Sequence, residues 1–78
     1  MDYGKRIKEA ARTVHLELLN KKELNLIALQ MKIKCEYGLG ERAVNKHLEQ
    51  LKKLKIISID EEIITVVNEE GLRGLILQ

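Results

Sequence analysis

The chain contains no proline, phenylalanine or tryptophan, one cysteine and two tyrosines. Each absence removes options. Without large aromatic rings, the core has to be built from Leu, Ile, Val and Ala. No platform exists on which unpaired bases would stack, which argues against single-strand nucleic-acid binding by that route. With Cys35 alone, no disulfide closes within the chain; this leans towards a reducing compartment, and the expected location is cytoplasmic. No run of about 18 apolar residues occurs, so neither a transmembrane helix nor a membrane partner is expected. The opening residues Met1-Asp2-Tyr3-Gly4-Lys5-Arg6 lead into a mixed segment, which speaks against a signal peptide. An excess of one charge sign is missing too: 14 Lys and Arg face 12 Asp and Glu, for a net charge of +2. Any nucleic-acid site must therefore come from local arrangement of charge.

What is present is 45% hydrophobic and 33% charged residues in 78 positions, a composition that folds and suffices for one domain spanning 1–78. A domain of this size buries only about 60% of the surface its unfolded chain exposes, so the core is limited. Abundant Ile, Lys and Glu with little Gln or Asn is an archaeal or thermophile-like composition, although an AT-rich genome gives a similar bias.

Hydrophobic spacing divides the chain into four parts without repeats or linkers. Tyr3, Ile7, Ala10, Ala11, Val14 and Leu18 recur at three- and four-residue steps and fall on one stripe of a helix from Tyr3 to about Leu19, with Leu16 opposite. The next segment, Lys21 to Tyr37, carries two conflicting signals. Leu29 to Tyr37 alternates apolar and polar residues as a strand would. Its Leu, Gln, Met, Lys and Glu are nevertheless good helix formers, and helix is the expectation. Asn20-Lys21-Lys22-Glu23 fits a capping box for that helix, while Asn25 is a rival cap for a shorter one that leaves Glu23-Leu24 as a stub of strand. Gly38 supplies a left-handed residue to end it.

Glu41 to Leu54 is the clearest helix. Val44, His47, Leu48, Leu51 and Leu54 share one stripe, and Arg42, Asn45, Lys46, Glu49, Gln50 and Lys53 lie opposite, with Gly40 as N-cap. Two β-branched runs, Ile56 to Ile59 and Ile63 to Val67, flank Asp60-Glu61-Glu62 and read as a hairpin. The tail, residues 68–78, is open between a short helix, a third strand and a packed extension.

Helix, helix, short turn, helix and hairpin is the order of a winged helix-turn-helix. The run Gly38-Leu39-Gly40-Glu41-Arg42-Ala43-Val44-Asn45-Lys46-His47-Leu48-Glu49-Gln50-Leu51-Lys52-Lys53-Leu54-Lys55-Ile56-Ile57 resembles the stretch seen in bacterial and archaeal winged-helix transcription regulators. In that pattern a Gly ends the second helix, a small cap starts the recognition helix, leucines anchor it, and an apolar pair opens the wing. Gly40 replaces the usual Ser or Thr cap, and Lys55 stands where Gly commonly precedes the wing. The resemblance implies an α+β, mostly α, fold: three helices followed by a β-hairpin wing. The core would run from about 21 to 67, with 1–20 as an N-terminal helix.

The implied function is sequence-specific binding of duplex DNA by a small transcription regulator acting as a homodimer. The major groove, about 12 Å wide, admits one helix. Val44, Leu48 and Leu51 would anchor helix 41–54 from behind. Arg42 suits guanine and Asn45 or Gln50 suits adenine, whereas Lys46 and Lys53 suit phosphates. The acidic tip Asp60-Glu61-Glu62 would be repelled by phosphate, so a winged-helix interaction module with a protein partner stands as the alternative. A plasmid- or virus-type replication factor using the same face is a third reading.

Other chemistry is thin. His47 reads as a satisfied, half-buried histidine at the edge of the stripe. His15 has no partner at metal spacing, and Cys35 reads as a small core residue. Gly38-Leu39-Gly40 lacks the third glycine of a dinucleotide fingerprint. No enzymatic activity, cofactor or metal is expected.

Overall fold

The structure, a computed structural model, describes residues 2–77. In chain order the elements are α1 (Tyr3–Lys21), β1 (Glu23–Asn25), α2 (Leu26–Tyr37), α3 (Glu41–Lys53), β2 (Ile57–Asp60), β3 (Ile63–Val66) and α4 (Glu69–Ile76). The fold is α+β and mostly helical. Three helices precede a hairpin in a winged-helix-like arrangement, with α4 appended.

α1 buries Ala10, Val14 and Leu18, the central positions of the expected stripe. It continues through Asn20, so that residue caps nothing and the capping box does not form. Lys22 ends the helix in a left-handed conformation (φ 65°), its N–H donating to the Leu18 carbonyl. This sharp exit delivers the chain straight into β1, which pairs with β3 through Glu23↔Thr65, Leu24↔Ile64 and Asn25↔Ile63. Asn25 is the cap of α2, its Oδ1 accepting from the Ala28 N–H at 3.0 Å. The expected helix start near Lys21 is thereby corrected. A capping box gains two hydrogen bonds, whereas the strand pairing gains those of a ladder and sets Leu24 beside Ile64.

α2 buries Leu29 and Ile33, four residues apart, and its alternation does not translate into alternate burial. Met31 is 62% exposed. Cys35 is exposed as well, which corrects its reading as a core residue: at helical pitch it points away from the Leu29–Ile33 stripe. Gly38 (φ 68°) closes the helix with its N–H on the Lys34 carbonyl.

α3 buries Val44, Leu48 and Leu51. Leu54, expected on the same stripe, is instead exposed at the C-cap. The chain turns there through Lys55 (φ 60°) and brings Ile56 into the core in its place, with the Ile56 N–H on the Leu51 carbonyl at 3.0 Å. The sheet order is β1-β3-β2, all antiparallel. Ile64 on the central strand is fully buried between Leu24 and Ile59, and Ile57 faces Val66, so one sheet face is aliphatic. Thr65 and its neighbours Glu23 and Ser58 point outward.

The open question of the tail resolves as a helix. Asn68 caps α4, its Oδ1 accepting from the Gly71 N–H at 3.0 Å, and Leu72 is fully buried. A Cβ on Gly71 would fall 2.8 Å from the Asn68 amide and 3.3 Å from Ile56, so glycine is what lets the cap sit against the core. The buried cluster thus draws on Ala10, Val14 and Leu18 before residue 21 and on Leu72 after residue 67.

Two stability predictions follow from these packing facts. Leu72→Ala should lower the unfolding free energy by about 3 kcal/mol, because it empties a fully buried site. Lys55→Gly should raise it by about 0.5–1 kcal/mol by removing a left-handed lysine, net of the entropy glycine adds to the unfolded chain. Urea titrations of both variants check the signs and sizes.

Candidate functional site

The outward face of α3 is positioned by its inner face. Val44, Leu48 and Leu51 are held in the aliphatic cluster, and helical pitch then turns Arg42, Lys46, Gln50 and Lys53 towards solvent, with Asn45 to one side. All five expected site residues are exposed, and they share one helix. The helix is about 20 Å long and starts at Gly40, which makes no side-chain cap.

Ion pairing divides the cations of the chain: Lys21, Lys22, Lys32, Lys52 and Arg73 are paired, whereas among the described residues Lys5, Arg6, Lys8, Arg12, Lys34 and Lys55 are not. Glu17 pairs with Lys21 and Lys32, Glu36 with Lys32, Glu49 with Lys52, and Glu69 with Lys22 and Arg73. None of Arg42, Lys46 and Lys53 makes an ion pair among the described residues. Asn45 is not equally free. Its Oδ1 accepts from Gln30 Nε2 of α2 at 2.8 Å, which orients the amide. Gln30 is a site neighbour that the sequence did not point to, since nothing in a lone glutamine on α2 signals a partner on α3.

The acidic turn is tied to the start of α2. Asp60 pairs with Ile63 across a two-residue turn, Glu61 is left-handed (φ 57°), and the Glu62 carbonyl accepts from the Leu26 N–H at 2.7 Å. The backbone of Glu62 therefore lies beside the first turn of α2, which carries no acid of its own.

Beneath the α3 face lies a contact that the sequence did not point to. His15 of α1 and His47 of α3 bring their Nε2 atoms to 2.8 Å, with ring centroids 4.7 Å apart. One ring donates and the other accepts, so at least one of the two is neutral. Burial, and then the facing His47, lower the His15 pKa from 6.5 to about 4; burial also lowers that of His47. The pair is a neutral polar clip between two helices. Its only trace in the sequence is two histidines flanking apolar stripes on different helices. Among the described residues no group of three or more His, Cys, Asp or Glu side chains is placed to hold a metal ion, and no helix is long and apolar enough to cross a membrane.

At the far end of the same seam, Arg6 of α1 donates to the Tyr37 carbonyl at 3.2 Å, and the Tyr37 and Thr13 hydroxyls share a 2.6 Å hydrogen bond. These contacts fix α1 against the end of α2, where the turn to α3 begins. Compared with known proteins, the chain matches no family model, no curated protein and no solved structure.

The histidine clip generates a pH prediction. Below about pH 6.5 the unfolded chain takes up a proton on His15 that the folded chain refuses until about pH 4. Its contribution to stability is therefore complete above pH 6.5 and is lost as the pH falls through that window. Allowing for half-exposed rings, the loss should be about 1–2 kcal/mol. Urea unfolding at a series of pH values should show this slope in the wild type and a shallower one in His15→Gln.

Proposed function

We propose that the chain is a winged helix-turn-helix protein that binds duplex DNA by laying α3 in the major groove. In this reading it is a small, non-enzymatic, cytoplasmic transcription regulator. The observation that carries the proposal is the outward face of α3, where three cations gather on one helix. Arg42, Lys46 and Lys53 stand exposed and without internal partners on a helix whose other face is fixed in the core. Unpaired cations on a rigid convex helix match the phosphate rows that flank a groove. Arg42, in the first turn, is placed to read a guanine edge, and Gln50 and the Gln30-oriented Asn45 amide are suited to adenine. Lys46 and Lys53 take phosphates. Two copies on half-sites about 34 Å apart would raise both affinity and specificity over one.

The acidic turn favours a second reading, a protein-interaction module. Asp60, Glu61 and Glu62 are exposed, and Tyr3, Met31, Leu54 and Val67 add apolar surface. Under the DNA reading, the turn stays off the duplex.

Binding to random-sequence duplex across a salt series separates the two. The wild type should bind at low salt with a steep loss of affinity as salt rises. Arg42→Ala with Lys46→Ala should weaken binding by about 10–100-fold and make the log–log salt slope shallower by about 2, with an unchanged melting curve. Absence of low-salt binding, or equal binding by the double variant, would count against the α3 assignment.

A further inference from the structure

The seam between α1 and α3 opens into a cleft of about 480 Å³. That volume falls within the range of small-molecule sites, about 300–1,000 Å³. Its floor is aliphatic, made by Ile7, Ala11 and Val14 from α1 and by Leu39 and Ala43 on the other side. Ile7 is left 37% exposed there, so the floor is not closed over by the chain itself. Arg42 and Lys46 stand at the rim, and His47 and Gln50 complete the wall. No acidic residue lines the cleft, and neither rim cation has an internal partner among the described residues.

We propose that this cleft binds a small amphipathic carboxylate, its apolar chain on the Ile7–Ala11–Ala43 floor and its carboxylate between Arg42 and Lys46. What supports it is charge complementarity above an apolar lining. An apolar floor alone would accept any oily molecule. Two unpaired cations at its mouth select one that ends in an anion, and the guanidinium supplies the fork geometry that holds a carboxylate with two hydrogen bonds. Gln50 offers a further donor without adding charge. A second copy of the chain is a poorer occupant. A two-fold partner on the same cleft would set Arg42 and Lys46 of each chain against those of the other. The site stands without the DNA reading, but its consequence rests on it: a carboxylate held by Arg42 and Lys46 takes from the duplex two of the cations that α3 presents to it.

Octanoate and octan-1-ol, which share a chain and differ in charge, are the probes. NMR titration of the full chain near neutral pH should move the Ile7, Ala11, Ala43 and Arg42 signals with octanoate. Octanoate should bind at least about tenfold more tightly than the alcohol. Arg42→Gln with Lys46→Gln should erase that preference while the melting curve stays unchanged, and Ile7→Glu should abolish binding of both. Equal affinity for the two probes, signals moving elsewhere, or sedimentation showing a dimer that Ile7→Glu dissociates would overturn the ligand assignment. With duplex present, octanoate should weaken wild-type DNA binding. If octanoate binds and duplex affinity does not change, the competition is overturned and the ligand site is not; if the duplex never binds, the DNA reading alone fails.

Discussion

A single aliphatic cluster holds every helix in register with the sheet. α1 contributes Val14 and Leu18, α2 Leu29 and Ile33, α3 Val44, Leu48 and Leu51, the sheet Ile57 and Ile64, and α4 Leu72. With no Phe or Trp available, no single side chain spans much of this space, and stability is shared among many small contributions. Among the described residues no polar or charged residue is buried with them. The polar clips, His15 with His47 and Arg6 with Tyr37, lie at the margins of the cluster, where they set how α1 meets the helices it covers. The outward face of α3 inherits its orientation from this packing.

The parts of the fold that were legible in the sequence are those where one signal spoke alone. Val44, Leu48 and Leu51 repeat at helical spacing among charged residues, so α3 was legible almost to the residue; its end was not. Leu54 keeps the period but lies where the helix has already stopped, and what stops it is a left-handed Lys55 rather than a glycine. Gly38 marked the end of α2 because only there did sequence and required backbone agree. The start of α2 was obscured by two asparagines that both make good caps. The choice between them is made by β3, some forty positions further along the chain, through its pairing with β1. Local reading has no access to such a partner. The same holds for α4, which the local sequence left open between helix, strand and packed extension, and where Gly71 admits the Asn68 cap.

The candidate site divides in the same way. That Arg42, Asn45, Lys46, Gln50 and Lys53 share a face follows from helical geometry and was legible. Which of them are free to act was not, since ion pairing depends on what the fold brings alongside. Lys52, one residue from Lys53, is tied to Glu49, and Asn45 is held by Gln30. The acidic turn, hard to reconcile with DNA from the sequence alone, is held to the first turn of α2 through the Glu62 carbonyl. The histidine clip was invisible because its members lie on helices that the chain itself gives no reason to pair.

The strand β1 is only three residues long, and its partner is not made until nearly the whole chain exists. Helices α1, α2 and α3 can each form from neighbouring residues, but the joint between α1 and α2 closes only after the hairpin has found it. That closure brings together segments far apart in sequence and carries the loop-entropy cost of doing so. The joint between the first two helices thus depends on a pairing that neither helix supplies.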